Sequence, residues 1–196
     1  MKLRVIAALV AVLALSAGSA SGQSIGVFAD PLSGSCNLAW SVGLPGTVFI
    51  NAILGGSVPG IRGAEFRIDG APMSGSEALY INTPNPLATI ALGDPWSLPG
   101  ASLSFGACQT GGSVNLYTVT VILLNPLAAT DATIGVVPRN PPTNPQIDCS
   151  LLNLCDDPAF TAVCVGGGEA FINSGRDCNV AVEEATWSGV KSMYAN

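Results

Sequence analysis

The chain has no histidine, and only 10% of its 196 residues are charged. Soluble domains average about 25% charged residues, so this surface must be built from Ser, Thr, Asn and Gly. Without imidazole there is no Ser-His-Asp triad, no HExxH zinc site and no histidine acid–base chemistry. Basic residues are scarce as well, seven Lys and Arg against 13 Asp and Glu. That balance lacks the positive footprint of a nucleic-acid binder and disfavours anionic membrane surfaces. Aromatic residues make up 6% of the chain. No apolar stretch runs unbroken for the roughly 18 residues that read as a membrane span. Disorder is excluded from the other direction, because 48% of the residues are hydrophobic.

What the chain does have begins at its N-terminus. Lys2 and Arg4 precede an unbroken apolar run from Val5 to Leu15, and the small-residue stretch SAGSASGQS follows. A basic start, a short apolar centre and a small-residue end predict a secretory signal peptide over residues 1–22. Cleavage after Ala20 or after Gly22 satisfies the small-residue requirement equally well. Removing the leader takes away Lys2 and Arg4, leaving five basic residues against 13 acidic, a net charge of −8. The remainder is the size of a single domain.

That remainder reads as β-structure. Short runs rich in Val, Ile, Thr and aromatics recur between Gly, Pro, Asn and Ser clusters, the pattern of a sandwich or barrel. In GAEFRID, Ala64, Phe66 and Ile68 alternate with Glu65, Arg67 and Asp69, which predicts one packed and one wet face. In VNLYTVTVILL, Tyr117, Val119, Val121 and Leu123 share one face, opposite Leu116, Thr118, Thr120 and Ile122. Being apolar on both sides, that strand should lie centrally. GLPG (43–46), SVPG (57–60) and SLPG (97–100) each set Pro before Gly, as a type II turn wants. RNPPTNPQ (139–146) should be an extended connector. The predicted sandwich spans 23–182, with a Cys-rich part from about residue 147. Only 183–196 asks for helix, with Thr186 as cap and Trp187, Val190 and Tyr194 on one face.

Six cysteines in an exported chain form an even set for an oxidising compartment. Cys36, Cys108, Cys149, Cys155, Cys164 and Cys178 contain no pair at the close spacing zinc favours, so disulfides are expected. The pairing expected is Cys36 with Cys108, and the later four among themselves.

Candidate chemistry is thin. Asp156 and Asp157, with Asp148 upstream, are weak calcium candidates on Cys-bounded loops, although adjacent Asp residues usually just form turns. Otherwise no cofactor is expected. A glycosidase needs two facing carboxylates, and Glu65, Asp69, Asp94 and Glu169 are available. Glu65 and Asp69 stand roughly 13 Å apart along one strand, too far for either catalytic geometry, so they read as solvated-face residues. Trp96, in the turn-rich GDPWSLPG, is the binding candidate, with Tyr80 as companion for stacking on a sugar. GGG (166–168) reads as a hairpin turn, since no Lys-Ser/Thr or strand-to-helix step follows it.

Several stretches together resemble a group of uncharacterised secreted bacterial proteins: IGVFADP near the start, GAEFRIDGAP, CSLLNLCDDPAFTAVCVGGGEAFIN and the terminal TWSGVKSMY. That resemblance implies an exported bacterial protein and carries no catalytic residue. GIRGAEFRIDGAP, a strand following a Gly-Ile turn, is also similar to cohesin-like sandwiches, which implies a binding module that assembles through a sheet face. The expected fold is an all-β, two-sheet antiparallel sandwich of jelly-roll or Ig/cohesin type. The expected function is non-enzymatic binding or assembly, secreted or periplasmic, toward a protein or glycan. A carbohydrate-active protein and a structural surface subunit are the alternatives.

Overall fold

Period-two alternation is realised as strands throughout the described residues. The computed structural model describes residues 22–56, 58–70, 72, 75–127, 132–155, 162–176 and 178. The expected leader up to Ser21 and the expected helix 183–196 lie outside the described residues. The strands are β1 (Ser24–Phe28), β2 (Asn37–Leu38), β3 (Pro45–Ile53), β4 (Ile61–Gly70), β5 (Ala78–Pro84) and β6 (Ala88–Asp94). They continue as β7 (Gly100–Gln109), β8 (Ser113–Leu123), β9 (Ala132–Val137), β10 (Ser150–Leu154), β11 (Ala162–Gly167) and β12 (Glu169–Ile172).

One layer runs β5-β8-β3-β1 and the other β6-β7-β4-β10-β11. Strand β11 pairs antiparallel with β10 and parallel with β1, joining the layers on one side. The far half of β4 leaves the second layer to pair with β9, which continues to β12 and β2. Most pairings are antiparallel, as expected; β1–β11 and β2–β12 are parallel. Between the layers, Val48, Ile50, Val119 and Val121 meet Ala64, Phe66, Leu103 and Leu152, all buried. The rings of Phe66 and Tyr117 meet edge-on, centroids 6.1 Å apart.

Four local expectations are corrected. Strand β8 changes phase at a bulge opposite Ile50/Asn51, so Val114 and Leu116 point inward before it, and Tyr117 and Val119 after it. Leu116 therefore joins the core instead of the Thr face. The bulge is held by polar side chains: Asn115 Nδ2 donates to Asn51 Oδ1 at 2.9 Å, and Asn51 Nδ2 to Ser33 Oγ at 2.8 Å. Second, Glu65 is buried, because the 139–146 connector lies over its strand. The Thr143 backbone N–H donates to Glu65 Oε1 at 2.9 Å, the Thr143 hydroxyl to Oε2, and Arg139 Nη1 stands 3.9 Å from Oε2. A buried carboxylate needs such partners, so the Pro-rich stretch is a fastened strap across the sheet. Third, of the three Pro-Gly pairs only Gly100 takes the φ of a type II turn (78°); Gly60 has a φ of 159°, and Pro45–Gly46 already belongs to β3. Fourth, GGG does not close a hairpin. The chain switches there from β11, paired with β10 and β1, to β12, paired with β9 and β2.

The Tyr117 hydroxyl is buried and finds no hydrogen-bond partner among the described residues. Burial, and then the nearby Asp94 charge, push its pKa up to about 12 from 10.0. A raised folded-state value means the neutral phenol contributes stability that is intact below pH 10 and lost as pH climbs from about 10 toward 12. Tyr117→Phe is therefore expected to leave stability at pH 7 unchanged or raise it by about 1 kcal/mol. The same change should flatten the loss between pH 10 and 12, as read from urea midpoints across that range. A clear loss of stability at pH 7 would contradict the unpartnered hydroxyl.

Candidate interaction surface

The outer face of β5, β8 and β3 carries no charged residue. Cross-strand register sets it out in rows: Leu79–Ile122–Pro45, Ile81–Thr120–Thr47 and Thr83–Thr118–Phe49. Leu79 is 45% exposed and Ile81 57%. Leu44, Val42 and Leu124 extend the apolar surface at one end, where Gly43 N–H bonds the Leu123 carbonyl at 2.9 Å. No charged residue occurs between Asp30 and Arg62, and between Glu77 and Asp131 only Asp94 is charged. A face without charge on a strongly acidic chain presents little barrier to dehydration, as the core of an interface requires. Its sequence signal is the 16-residue uncharged run 78–93, whose residues individually read as ordinary strand and turn formers.

The aromatic candidates are brought together, but turned into the fold. Tyr80 points inward from β5 and stacks on Trp96, centroids 3.8 Å apart and planes 14° from parallel. Trp96 Nε1–H donates to Asn82 Oδ1 at 2.9 Å, and Tyr80 Oη to the Pro72 carbonyl at 2.7 Å. Asp94 ties the turn by accepting from Asn82 Nδ2 at 2.8 Å and from the Trp96 backbone N–H at 2.9 Å. Each ring thus spends one face on the other, and both polar ends are taken. Burial raises the Tyr80 pKa, with Glu77 adding to the shift. The pair closes the side of the sandwich between β5 and the β6–β7 turn.

The other candidates stay apart. Asp148 is exposed at the end of the strap, while Asp156 and Asp157 lie outside the described residues. Among the described residues no three His, Cys, Asp or Glu side chains converge as metal ligands. Glu65 and Asp69 sit at the strap and at the open end of β4, where Asp69 pairs with Arg67 at 3.2 Å.

All six cysteines are bridged: Cys149–Cys164 joins two of the later four as expected, whereas Cys36–Cys178 and Cys108–Cys155 stand in place of the expected Cys36–Cys108. Cys36 and Cys108 lie at opposite ends of β4, one beside β2 in the β9-β12-β2 group and the other where β7 meets Ile61. A disulfide spans at most about 7 Å between Cα atoms, so they cannot meet. Cys108–Cys155 instead crosses the start of β4, where Gly60 leaves room: a Cβ there would overlap the Gln109 carbonyl. Cys149–Cys164 ties β10 to β11 and Cys36–Cys178 fastens the chain beyond β12. Three bridges fit an oxidising compartment. Among the described residues no helix is long and apolar enough to cross a membrane.

No family model matches the chain, and no curated protein matches it. Solved structures do. The sixth cohesin of scaffoldin B from Acetivibrio cellulolyticus, solved with a Cel5 dockerin, is 12% identical at a TM-score of 0.50, covering 78% of this chain and 98% of that one. A cohesin module from a Clostridium perfringens family 33 glycoside hydrolase is 11% identical at 0.49, covering 76% and 96%. The seventh ScaB type I cohesin from Pseudobacteroides cellulosolvens is 10% identical at 0.48, covering 79% and 94%. At these identities the first match establishes shared architecture and nothing of activity. The chain has a cohesin-like β-sandwich fold.

Proposed function

We propose that the chain is an exported, non-enzymatic module that binds a protein partner through the uncharged outer face of β5, β8 and β3. The observation that carries this reading is the charge-free grid centred on Ile81, Thr120 and Thr47, on a chain of net charge −6. The cohesin-like fold supports it, since the Acetivibrio cohesin was solved with a dockerin, itself a protein partner. The leader-like N-terminus and three disulfides support export.

The oxidised chain, used as bait against the exported proteins of its own host, is expected to retain a protein partner that then binds it in purified form. Thr47→Lys sets a charge in the middle of the face and is expected to weaken that binding about a hundredfold, since an unpaired buried charge costs about 3 kcal/mol. Thr47 is exposed, so the melting temperature should not move. Partner binding indifferent to Thr47→Lys overturns the assignment to this face. Hydrolysis of a polysaccharide or peptide panel overturns the non-enzymatic reading. Glycan binding lost in Trp96→Ala would make it a carbohydrate-binding protein instead.

A further inference from the structure

Among the described residues, strand β5 ends its sheet and no strand lies beyond it. Natural edge strands are usually blunted by a charge, a mid-strand proline or a bulge, because unpaired N–H and C=O groups template pairing with another chain. The seven pairs of β5 with β8 run without a bulge, the strand carries no charge, and its only proline is the last residue, Pro84.

Which groups point outward follows from the ladder. Asn85 N–H bonds the Leu116 carbonyl, and Leu124 N–H bonds the Glu77 carbonyl, so the odd-numbered residues face β8. By alternation the main-chain groups of Ala78, Tyr80, Asn82 and Pro84 face away from it. We propose that this edge is a self-association site, where β5 pairs antiparallel with β5 of a second copy about a two-fold axis at Ile81.

In that register Tyr80 exchanges two hydrogen bonds with Asn82 of the second copy, and Asn82 two with its Tyr80. Ala78 N–H reaches the carbonyl of Pro84 at each end. The remaining position needs no partner: Pro84 has no N–H to give, and the Ala78 carbonyl opposite it already accepts from Gly75 N–H at 2.8 Å. Glu77 falls opposite Asn85 rather than another carboxylate, so two acidic copies meet without like charges facing. Ile81 lies against Ile81, and Leu79 against Thr83, on the outer face. The isologous geometry closes at two copies. A single strand pair is smaller than the roughly 1,600 Å² of a standard interface, so a reversible, micromolar dimer is expected. It uses the edge and leaves the Thr47 side of the face open, so it stands apart from the hetero-partner proposed above.

Sedimentation equilibrium of the oxidised chain tests it with wild type, Ile81→Lys, Ile81→Glu and a 1:1 mixture of the two variants. The expected result is a concentration-dependent wild-type dimer, dissociation constants raised roughly tenfold in each variant by like charges face to face, and recovery in the mixture. Amide exchange at Tyr80 and Asn82 should slow as wild-type concentration rises. A wild type that stays monomeric at millimolar concentration overturns the proposal. So does a dimer indifferent to Ile81→Lys, or a mixture that fails to reassociate. If the Ile81 variants do not fold, Leu79→Glu mixed with Thr83→Lys applies the same test at the neighbouring facing pair, with failure to associate again overturning it.

Discussion

Gly167→Ala is expected to remove a large share of the stability of this protein, while Gly166→Ala one residue earlier leaves it nearly unchanged. At Gly167 an added Cβ would overlap the Val136 carbonyl oxygen, a backbone atom that cannot swing aside. The crowding is built into the corner where the chain changes sheets. Gly168 N–H bonds the Ile25 carbonyl at 2.8 Å, and Val136 N–H bonds the Gly168 carbonyl at 3.1 Å, so β1, β9 and the corner are locked at close range. Relieving the overlap means breaking one of those bonds or displacing β9 from β12. Destabilisation of about 3–5 kcal/mol is expected, a large share of the 5–15 kcal/mol typical of a domain. At Gly166 nothing lies within 4 Å of the same atom, so alanine should cost under about 1 kcal/mol. Urea unfolding of the oxidised proteins decides between them; equal midpoints for the two variants would show that the corner is not tight.

The second large effect is expected from Cys36→Ser with Cys178→Ser. That bridge joins residues 142 apart, against 47 for Cys108–Cys155 and 15 for Cys149–Cys164. In the chain-entropy model the three are worth about 5, 4 and 3 kcal/mol respectively, in that order of loop length. Removing the longest frees the greatest number of unfolded conformations and also releases the chain beyond β12, where Cys178 packs against the core. The expected ranking of urea midpoints among the three double-serine variants is therefore Cys36/Cys178 lowest and Cys149/Cys164 highest. The reverse order would place native-state packing above chain entropy as the source of stabilisation.

Much of the fold could be read locally. Ala64, Phe66 and Ile68 are packed as their alternation requires, and Val119, Val121 and Leu123 share a buried face as expected. Side-chain period is a property of a few consecutive residues, so it is visible without knowing the partner strand. Ser150–Leu154 forms a strand although SLLNL shows no regular alternation. Once β4 and β11 flank it, Leu152 is core. Glu65 illustrates the complementary limit. Its alternation marks it as wet, and only the strap arriving from 78 residues away covers it and supplies its hydrogen bonds.

The candidate surface was half legible. Trp96 and Tyr80 were identified as a pair, and they do meet, yet as a plug whose polar ends are both occupied. Whether a ring faces ligand or its own fold depends on how the chain folds back on it, and the contacts of Tyr80 with Pro72 and of Trp96 with Asn82 are set by the path of the turns, which alternation does not give. The uncharged face follows the same logic: its residues are ordinary strand formers individually, and only the registers of β5, β8 and β3 assemble them into one grid.

By itself the sequence determined the absences and the class. No histidine, few charges, an even cysteine set and period-two alternation leave a disulfide-stapled β-protein as the consistent outcome. The tertiary structure decided everything that depends on distance between remote segments: which cysteines meet, which carboxylate is buried, where GGG turns a corner and which strand is left as an edge. The reason is physical. Alternation and turn chemistry act over two to five residues, whereas pairing and register are settled by competition among strands far apart in the chain.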